Sequence, residues 1–257
     1  MSDASAHRDA ILDQFTRQAV PFSTAPSIRD EAALRLVLEF SGAGAHDTVL
    51  DVACGPGILA CAFATVARHV TGIDLTPAML DRARALQAER GLTNLTWRQG
   101  DVLPLPYPDG AFTLVVSRFA FHHLLEPGAV LKEMRRVCAS GGTVMVIDSA
   151  PAPDKAAAFN RVEVLRDPSH VRALPLDEHV ALFAAADLPT PRQTFYRLQT
   201  DLDGLLTRSF PNPGDVDRLR RIYQASLADD GLDMATRRDG DALRLAFPVA
   251  VLAARRG

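Results

Sequence analysis

Lysine is almost missing from this chain. Of its 28 basic residues only Lys132 and Lys155 are lysines, and the rest are arginines. Neither lysine sits in a motif that would present an amine to a carbonyl, so Schiff-base and pyridoxal chemistry has no natural nucleophile. A P-loop, which needs Gly-Lys followed by Ser or Thr, does not occur. Cysteine is scarce as well. Cys54, Cys61 and Cys138 form no C-x-x-C pair and each stands in an apolar stretch, the pattern of buried reduced thiols. The 7 histidines contain no H-E-x-x-H, and the adjacent pair His122-His123 points its side chains apart, so no metal is expected. No apolar run nears the ~18 residues that cross a bilayer. Met1 to Ala10 is polar and lacks the apolar stretch of a secretory signal. The expectation is a cytoplasmic protein without a membrane partner. No basic block occurs and the net charge is −3, which argues against a nucleic-acid partner.

What remains is ordinary globular material: 257 residues, 47% hydrophobic and 23% charged. Length allows one large α/β domain or a core with an insertion. Residues 10–40 read as two helices, the first broken around Pro21 and Pro26, the second stopped by Ser41-Gly42. Then the period changes. Thr48 to Val52 is a β-rich run ending at Ala53-Cys54-Gly55-Pro56-Gly57, after which Ile58 to Val66 resumes helical spacing. Val70 to Ile73 is a second strand ending at Asp74. Thr76-Pro77 opens a helix that Gly91 stops. Further strands fall at 95–98, 112–116 and 143–147, with a helix at 127–138 between the last two. Strands alternating with helices predict a parallel, doubly wound sheet. Past Asp148 the rhythm breaks into helices at 155–166 and 176–186, a strand near 194–198, a helix at 216–227 and a strand at 243–252. Pro248 within that last strand suggests an edge position or a bulge.

The strongest chemical signal is the first strand-turn-helix. Gly55 and Gly57 permit a tight turn and close approach of a ligand to backbone. Read as G-x-G-x-x-A through Ala60, the loop passes for a dinucleotide fingerprint with Asp74 as the ribose-binding acid. An Asp at a strand end can equally be a helix cap. The neighbouring residues separate these readings.

Val49 to Gly57 carries an acidic residue, Asp51, inside the strand before the glycines, where nicotinamide-binding proteins usually place an apolar one. With Gly72 to Leu80, Gln99 to Val102, Asp109 to Val116, Phe121-His122-His123, Arg135-Arg136-Val137 and Gly141-Gly142, it resembles the class I S-adenosylmethionine-dependent methyltransferases. The likeness is to the small-molecule branch typified by the ubiquinone and menaquinone C-methyltransferases, and it covers residues 47–149. Ala53 departs from it, since glycine is frequent there. The implied fold is a Rossmann-like, mostly parallel seven-stranded sheet with N-terminal helices and a helical lid after the fifth strand. The implied division of one domain is 1–45 as cap helices, 46–150 as cofactor core, 151–190 as lid and 191–257 as the rest of the sheet with an inserted helix.

The resemblance also implies roles. Asp74 would take the ribose hydroxyls, Asp101 the adenine amine and the Val102 N–H a ring nitrogen, with Leu75 and Val102 sandwiching the base. Backbone at Ala53 and Ser117, helped by Asp51, would hold the methionine ammonium over Gly55 and Gly57. Met79 of the second motif and Phe15 and Phe22 of the N-terminal helices complete the expected cofactor set; the two phenylalanines could also be plain core. Candidates for the chemistry are Arg118, His122 and His123 after the fourth strand. The two histidines could instead cap a helix, and Arg118 could pair with an anionic substrate or a structural carboxylate. Asn160, Arg166, His170 and Arg172 in the lid, with Tyr196, form a candidate surface for a polar or anionic small-molecule acceptor, or else a solvated helix face. Nothing in the sequence specifies the acceptor or an oligomeric state. Two rival readings keep the fold but drop methylation: a cofactor-binding enzyme of another reaction, and a non-catalytic binding module. The Asn- or Asp-Pro-Pro-aromatic signature of many base-methylating enzymes is absent, Ser117-Arg118-Phe119-Ala120 standing in its place. Residues 1–150 hold 16 acidic against 13 basic side chains, and the remainder 15 of each, so the net charge sits in the half expected to hold a cationic cofactor.

Overall fold

Two helices precede the sheet in the computed structural model, which describes residues 3–257. Helix α1 (Asp3–Ser23) is longer than its apolar periodicity announces and runs through Pro21. The proline removes one i→i−4 hydrogen bond from the last turn, and the helix ends two residues later. Helix α2 (Glu31–Ser41) begins at Asp30, whose carboxylate accepts the N–H groups of Ala32 and Ala33 at 2.9 and 3.2 Å. It ends at Gly42, where φ of 71° places the cap in the left-handed region.

Strands β1 (Thr48–Val52), β2 (His69–Asp74), β3 (Leu95–Gln99), β4 (Phe112–Arg118) and β5 (Cys138–Ser149) are joined by α3 (Ile58–Phe63), α4 (Pro77–Glu89) and α5 (Pro127–Val137). These five strands are parallel, as the βα alternation predicts. Helices α6 (Ala156–Arg166) and α7 (Leu176–Ala185) follow, then β6 (Arg192–Asp201), α8 (Leu202–Ser209), α9 (Asp215–Ala225) and the hairpin of β7 (Arg237–Asp239) with β8 (Ala242–Arg255). The sheet order is β3-β2-β1-β4-β5-β8-β6, with β7 paired only to β8. Between β1 and β4 the order reverses direction, which opens a crevice at the strand C-termini.

Period-2 burial on both faces puts a core on each side. Val49, Val70, Leu114 and Val116 face α3; Leu50, Val115, Val144 and Val146 face α5. A third cluster, Phe159, Leu205, Leu219, Tyr223 and Phe247, joins α6, α8 and α9 to the start of β8.

Three elements differ from expectation. Strand β8 is interior, antiparallel to both β5 and β6. Pro248 fits there because its missing N–H falls opposite Ala150, one residue beyond the end of β5, while its carbonyl still accepts the Ala150 N–H at 2.9 Å. Helix α8 carries no strong sequence signal, since Gly204 interrupts it; Asp201 caps it by accepting the Gly204 N–H at 2.7 Å. The three-residue β7 makes an eighth strand. Among the described residues no helix is long and apolar enough to cross a membrane.

Candidate active site

The crevice holds a cavity of about 330 Å³. Its floor is the C-terminal ends of β1, β2 and β4, and its cover is α1, through His7, Arg8, Ile11, Phe15 and Phe22. Backbone conformation shapes the floor: Ala53, Gly55 and Gly57 all lie in the left-handed region, with φ of 54°, 52° and 75°. Alanine there carries strain on the order of 1 kcal/mol, which is why glycine suits position 53. At Gly57 the need is also steric, because a Cβ would lie 2.6 Å from Cη2 of Trp97. The same indole covers Gly72 and donates its N–H to Gln87 Oε1 at 2.6 Å.

Asp74 fastens the turn. Its Oδ2 accepts the Gly55 N–H at 2.7 Å and its Oδ1 the Thr76 N–H at 2.8 Å, leaving one lone pair on each oxygen for the cavity. Burial raises its carboxyl above the usual range, while the N–H groups of Thr76 and Gly55 pull it down. Asp51 is fully buried at the cavity floor and its Oδ2 has no partner. Burial pushes its carboxyl up to about 8, a rise that the Arg118 charge opposes and the Asp74 charge reinforces. Arg118 donates from Nη1 to the Ile28 carbonyl at 3.2 Å and lies 4.6 Å from the centre of the Phe119 ring, yet its Nε and Nη2 have no partner among the described residues.

Asp101, Leu75, Val102 and Met79 also line this cavity. The Val102 N–H is engaged by its own neighbour, donating to Asp101 Oδ1 at 2.7 Å, and Arg8 of α1 pairs with Asp101 Oδ2. Gly57 stands behind the turn, and Ser117 lies beneath the floor with its hydroxyl donating to the Val52 carbonyl at 2.9 Å. His7 and Arg8 were not among the expected residues, since no motif surrounds them. A basic residue on the first helix facing an acidic strand end was the only signal available.

A second cavity, about 100 Å³, adjoins the first over the ends of β5, β6 and β8. The two share Phe15, Phe22, Ile28, Phe119 and His123. His122 lines the second cavity and His123 lines both, but the rings do not point apart as adjacent positions lead one to expect: residues 121–123 form a tight 3-10 turn rather than extended chain, and the two ring centres lie 4.2 Å apart. Asp148, at the end of β5, accepts the His122 Nδ1–H at 2.5 Å and the Phe121 N–H at 2.8 Å. Burial alone would lower the His122 pKa, but the Asp148 charge and hydrogen bond hold it above its ordinary value. Burial likewise opposes ionisation of Asp148, and the His122 charge overrides it, keeping that carboxyl below the usual range. The Nδ1 bond fixes the tautomer, and His122 Nε2 has no hydrogen-bond partner among the described residues. His123 differs. It donates from Nδ1 to the Ser169 carbonyl at 3.0 Å, and burial together with the His122 charge pushes it down to about 4.

Of the expected acceptor residues only Arg166 lines the second cavity. Asn160 is a brace for the lid: its amide donates to the Ala156 and Ala173 carbonyls and its carbonyl accepts from Ala173 and His170. His170 lies behind His122, ring centres 5.4 Å apart. Arg172 is exposed and forked onto Glu178. Tyr196 is half-buried near Arg118, its hydroxyl without a hydrogen-bond partner among the described residues, outside both cavities. Residues missed by sequence reasoning include Asp148, Thr200 and Arg208, which long connections bring to one place.

Residues 50–146 match the model of a methyltransferase domain. The chain is 34% identical to an uncharacterized methyltransferase of Bacillus subtilis, YcgJ, over 83% of this chain and 87% of that protein. The crystal structure of that protein superposes with a TM-score of 0.78 at 26% identity, covering 88% of this chain and 99% of the other. A ubiquinone/menaquinone biosynthesis C-methyltransferase of Bdellovibrio bacteriovorus, UbiE, is 36% identical over 58% of this chain and 65% of its own length.

Proposed function

The chain belongs to the class I S-adenosylmethionine-dependent methyltransferases, and from that premise we propose that it methylates a small molecule held in the second cavity, with His122 as the base. Its cofactor is S-adenosyl-L-methionine, and the first cavity suits that molecule on its own chemistry. The lining carries four acidic side chains, Asp51, Asp74, Asp101 and Glu126, against two arginines, Arg8 and Arg118. A sulfonium cation favours that balance, whereas a dinucleotide pyrophosphate would not. The orphaned polar atoms match a free amino acid: Asp51 Oδ2 would take the ammonium, and Arg118 Nε and Nη2 the carboxylate. Asp74 keeps lone pairs for the two ribose hydroxyls. Leu75, Val102 and Leu103 supply apolar surface for the adenine.

Bound S-adenosylmethionine supplies an electrophilic methyl group and departs as S-adenosylhomocysteine. The protein must then orient the acceptor, exclude water and accept a proton. The His122–Asp148 pair is built for that last task. The buried carboxylate holds the imidazole with Nδ1–H engaged, so the free Nε2 takes a proton from the acceptor while Asp148 stabilises the resulting imidazolium. His123, held neutral on the shared wall, would position rather than deprotonate.

One observation carries the reading: a cavity with cofactor chemistry shares a wall with a second cavity that a His–Asp pair lines. Incubating the protein with methyl-labelled S-adenosylmethionine and a fractionated cell extract tests it. Label should move into the low-molecular-mass fraction and stoichiometric S-adenosylhomocysteine should form. Label in protein or nucleic acid, or cofactor bound without turnover in any fraction, would contradict it.

A further inference from the structure

We infer that the second cavity selects an acceptor with a flat apolar body and a carboxylate, and that Arg208 of α8 is the residue that reads the carboxylate. This assignment rests on the methyl-transfer reading and gives it a substrate class.

The cavity walls are mostly apolar: Phe15, Phe22, Phe119, Phe247, Leu198 and Leu205. Such a surface takes an aromatic or aliphatic ring. Charged groups also line it, and all but one are already answered within the protein. Arg166 forks onto Glu163, with Nε to Oε1 at 3.0 Å and Nη2 to Oε2 at 2.6 Å, and donates from Nη1 to Ser209 Oγ at 3.0 Å. Asp167 accepts from Gln18 at 2.9 Å and from the N–H and hydroxyl of Ser169 at 2.9 and 2.5 Å. His122 has Asp148.

Arg208 is the exception. It is half-buried, and its guanidinium meets only hydroxyl groups, Thr200 Oγ1 at 2.6 Å and Ser27 Oγ at 3.5 Å. Among the described residues no carboxylate lies within ion-pair distance of it. Asp201 is the acid that acts on it: its charge supports the guanidinium from beyond ion-pair distance while its Oδ1 caps α8, so no carboxylate oxygen is bonded to Arg208 directly. Burial and the Arg166 charge both act against the Arg208 cation. A cation in such a setting costs free energy until an anion arrives. Two hydroxyls steady the guanidinium without neutralising it, so its remaining donors are available to a planar carboxylate. An acceptor lying between Arg208 and His122 would then present its nucleophilic hydroxyl or amine to His122 and the shared wall.

The test uses the full chain saturated with S-adenosylhomocysteine, with binding followed by calorimetry. Probes are the hydroxybenzoates, each with its amide as a neutral partner, and benzylamine as a cationic control. At least one hydroxybenzoate should bind about ten- to a hundredfold more tightly than its amide. Arg208→Gln should erase that gap while S-adenosylhomocysteine affinity stays as in the parent, and Arg208→Lys should restore part of it. Equal binding of acid and amide, a gap that survives Arg208→Gln, or no acid binding at all would overturn the assignment and leave the methyltransferase reading standing. Failure of the parent protein to bind S-adenosylhomocysteine would overturn both.

Discussion

The two cavities share Phe119 and His123, but the chain builds them by opposite means. The floor of the first is assembled from strand ends and turns that follow one another along residues 51–120, beneath the cover of α1. Each motif contributes its own residue, and Asp74 ties the Gly55 turn to the next helix through two N–H groups. The second draws on α1, β5, α6, β6, α8 and β8, so residues as distant as Phe15 and Phe247 meet across it. On the proposed reading a common cofactor would be held by local geometry, and the acceptor would be read by whatever the long connections carry to the sheet edge. Chemistry divides the same way. The first side leaves its polar atoms open for a ligand; the second pairs its charges internally and leaves one arginine over.

The sharpest way to break this division is at His122. His122→Gln should lower kcat by about 10²- to 10⁴-fold while leaving S-adenosylhomocysteine affinity unchanged. A matching loss of cofactor binding would show that the two sides are not separable. The acid limb of kcat should lie above the ordinary histidine range, since Asp148 holds the His122 pKa up and the base must be unprotonated. Asp148→Asn should move that limb to lower pH.

On the other side, Asp74→Ala should weaken S-adenosylhomocysteine binding by about a hundredfold, the worth of two charge-assisted hydrogen bonds. Calorimetry would read this directly, and an unchanged affinity would remove Asp74 from the site.

Acid should act first on the second side. His123 is held at about 4 and His170 at about 2, by burial and then by the charge of His122. Unfolded histidines take up protons near pH 6.5, so the folded chain keeps its full stability above that and loses it as pH falls toward 4. The slope should be about 1.4 kcal/mol per pH unit for each histidine. Denaturant titrations of the parent and of His170→Asn should differ by one such increment. Equal slopes would contradict the assignment.

The smallest expected effect lies with Asp51, raised by burial to about 8 and therefore protonated at neutral pH. A cationic ammonium beside it would drive ionisation, releasing up to about one proton on cofactor binding at pH 7. Calorimetry in buffers of different ionisation enthalpy would count it, and Asp51→Asn should abolish it.

How much of this could be read in advance follows from the same contrast. The parallel sheet was legible, and so was the placing of Asp51, Asp74 and Asp101 along one cavity, because each lies in a run whose period or turn chemistry is local. Arg8 was not, since its partner is 93 residues away. Asp148 sits in a strand that reads as pure core, and only the fold reveals that it ends beside His122. Arg172 looked like a ligand contact because charge clusters on helices resemble one another; its exposure and its fork onto Glu178 belong to the surface. Pro248 misled because edge and interior differ by where a neighbouring strand stops.

Trp97 has a use beyond packing. It is the chain's 1 tryptophan, and it lies against the backs of Gly57 and Gly72, behind the turn of the proposed cofactor site. Every photon of indole emission therefore originates at one spot beneath the cofactor turn. Intrinsic fluorescence of the unmodified protein becomes a site-specific optical readout of cofactor arrival, undiluted by signal from the acceptor side.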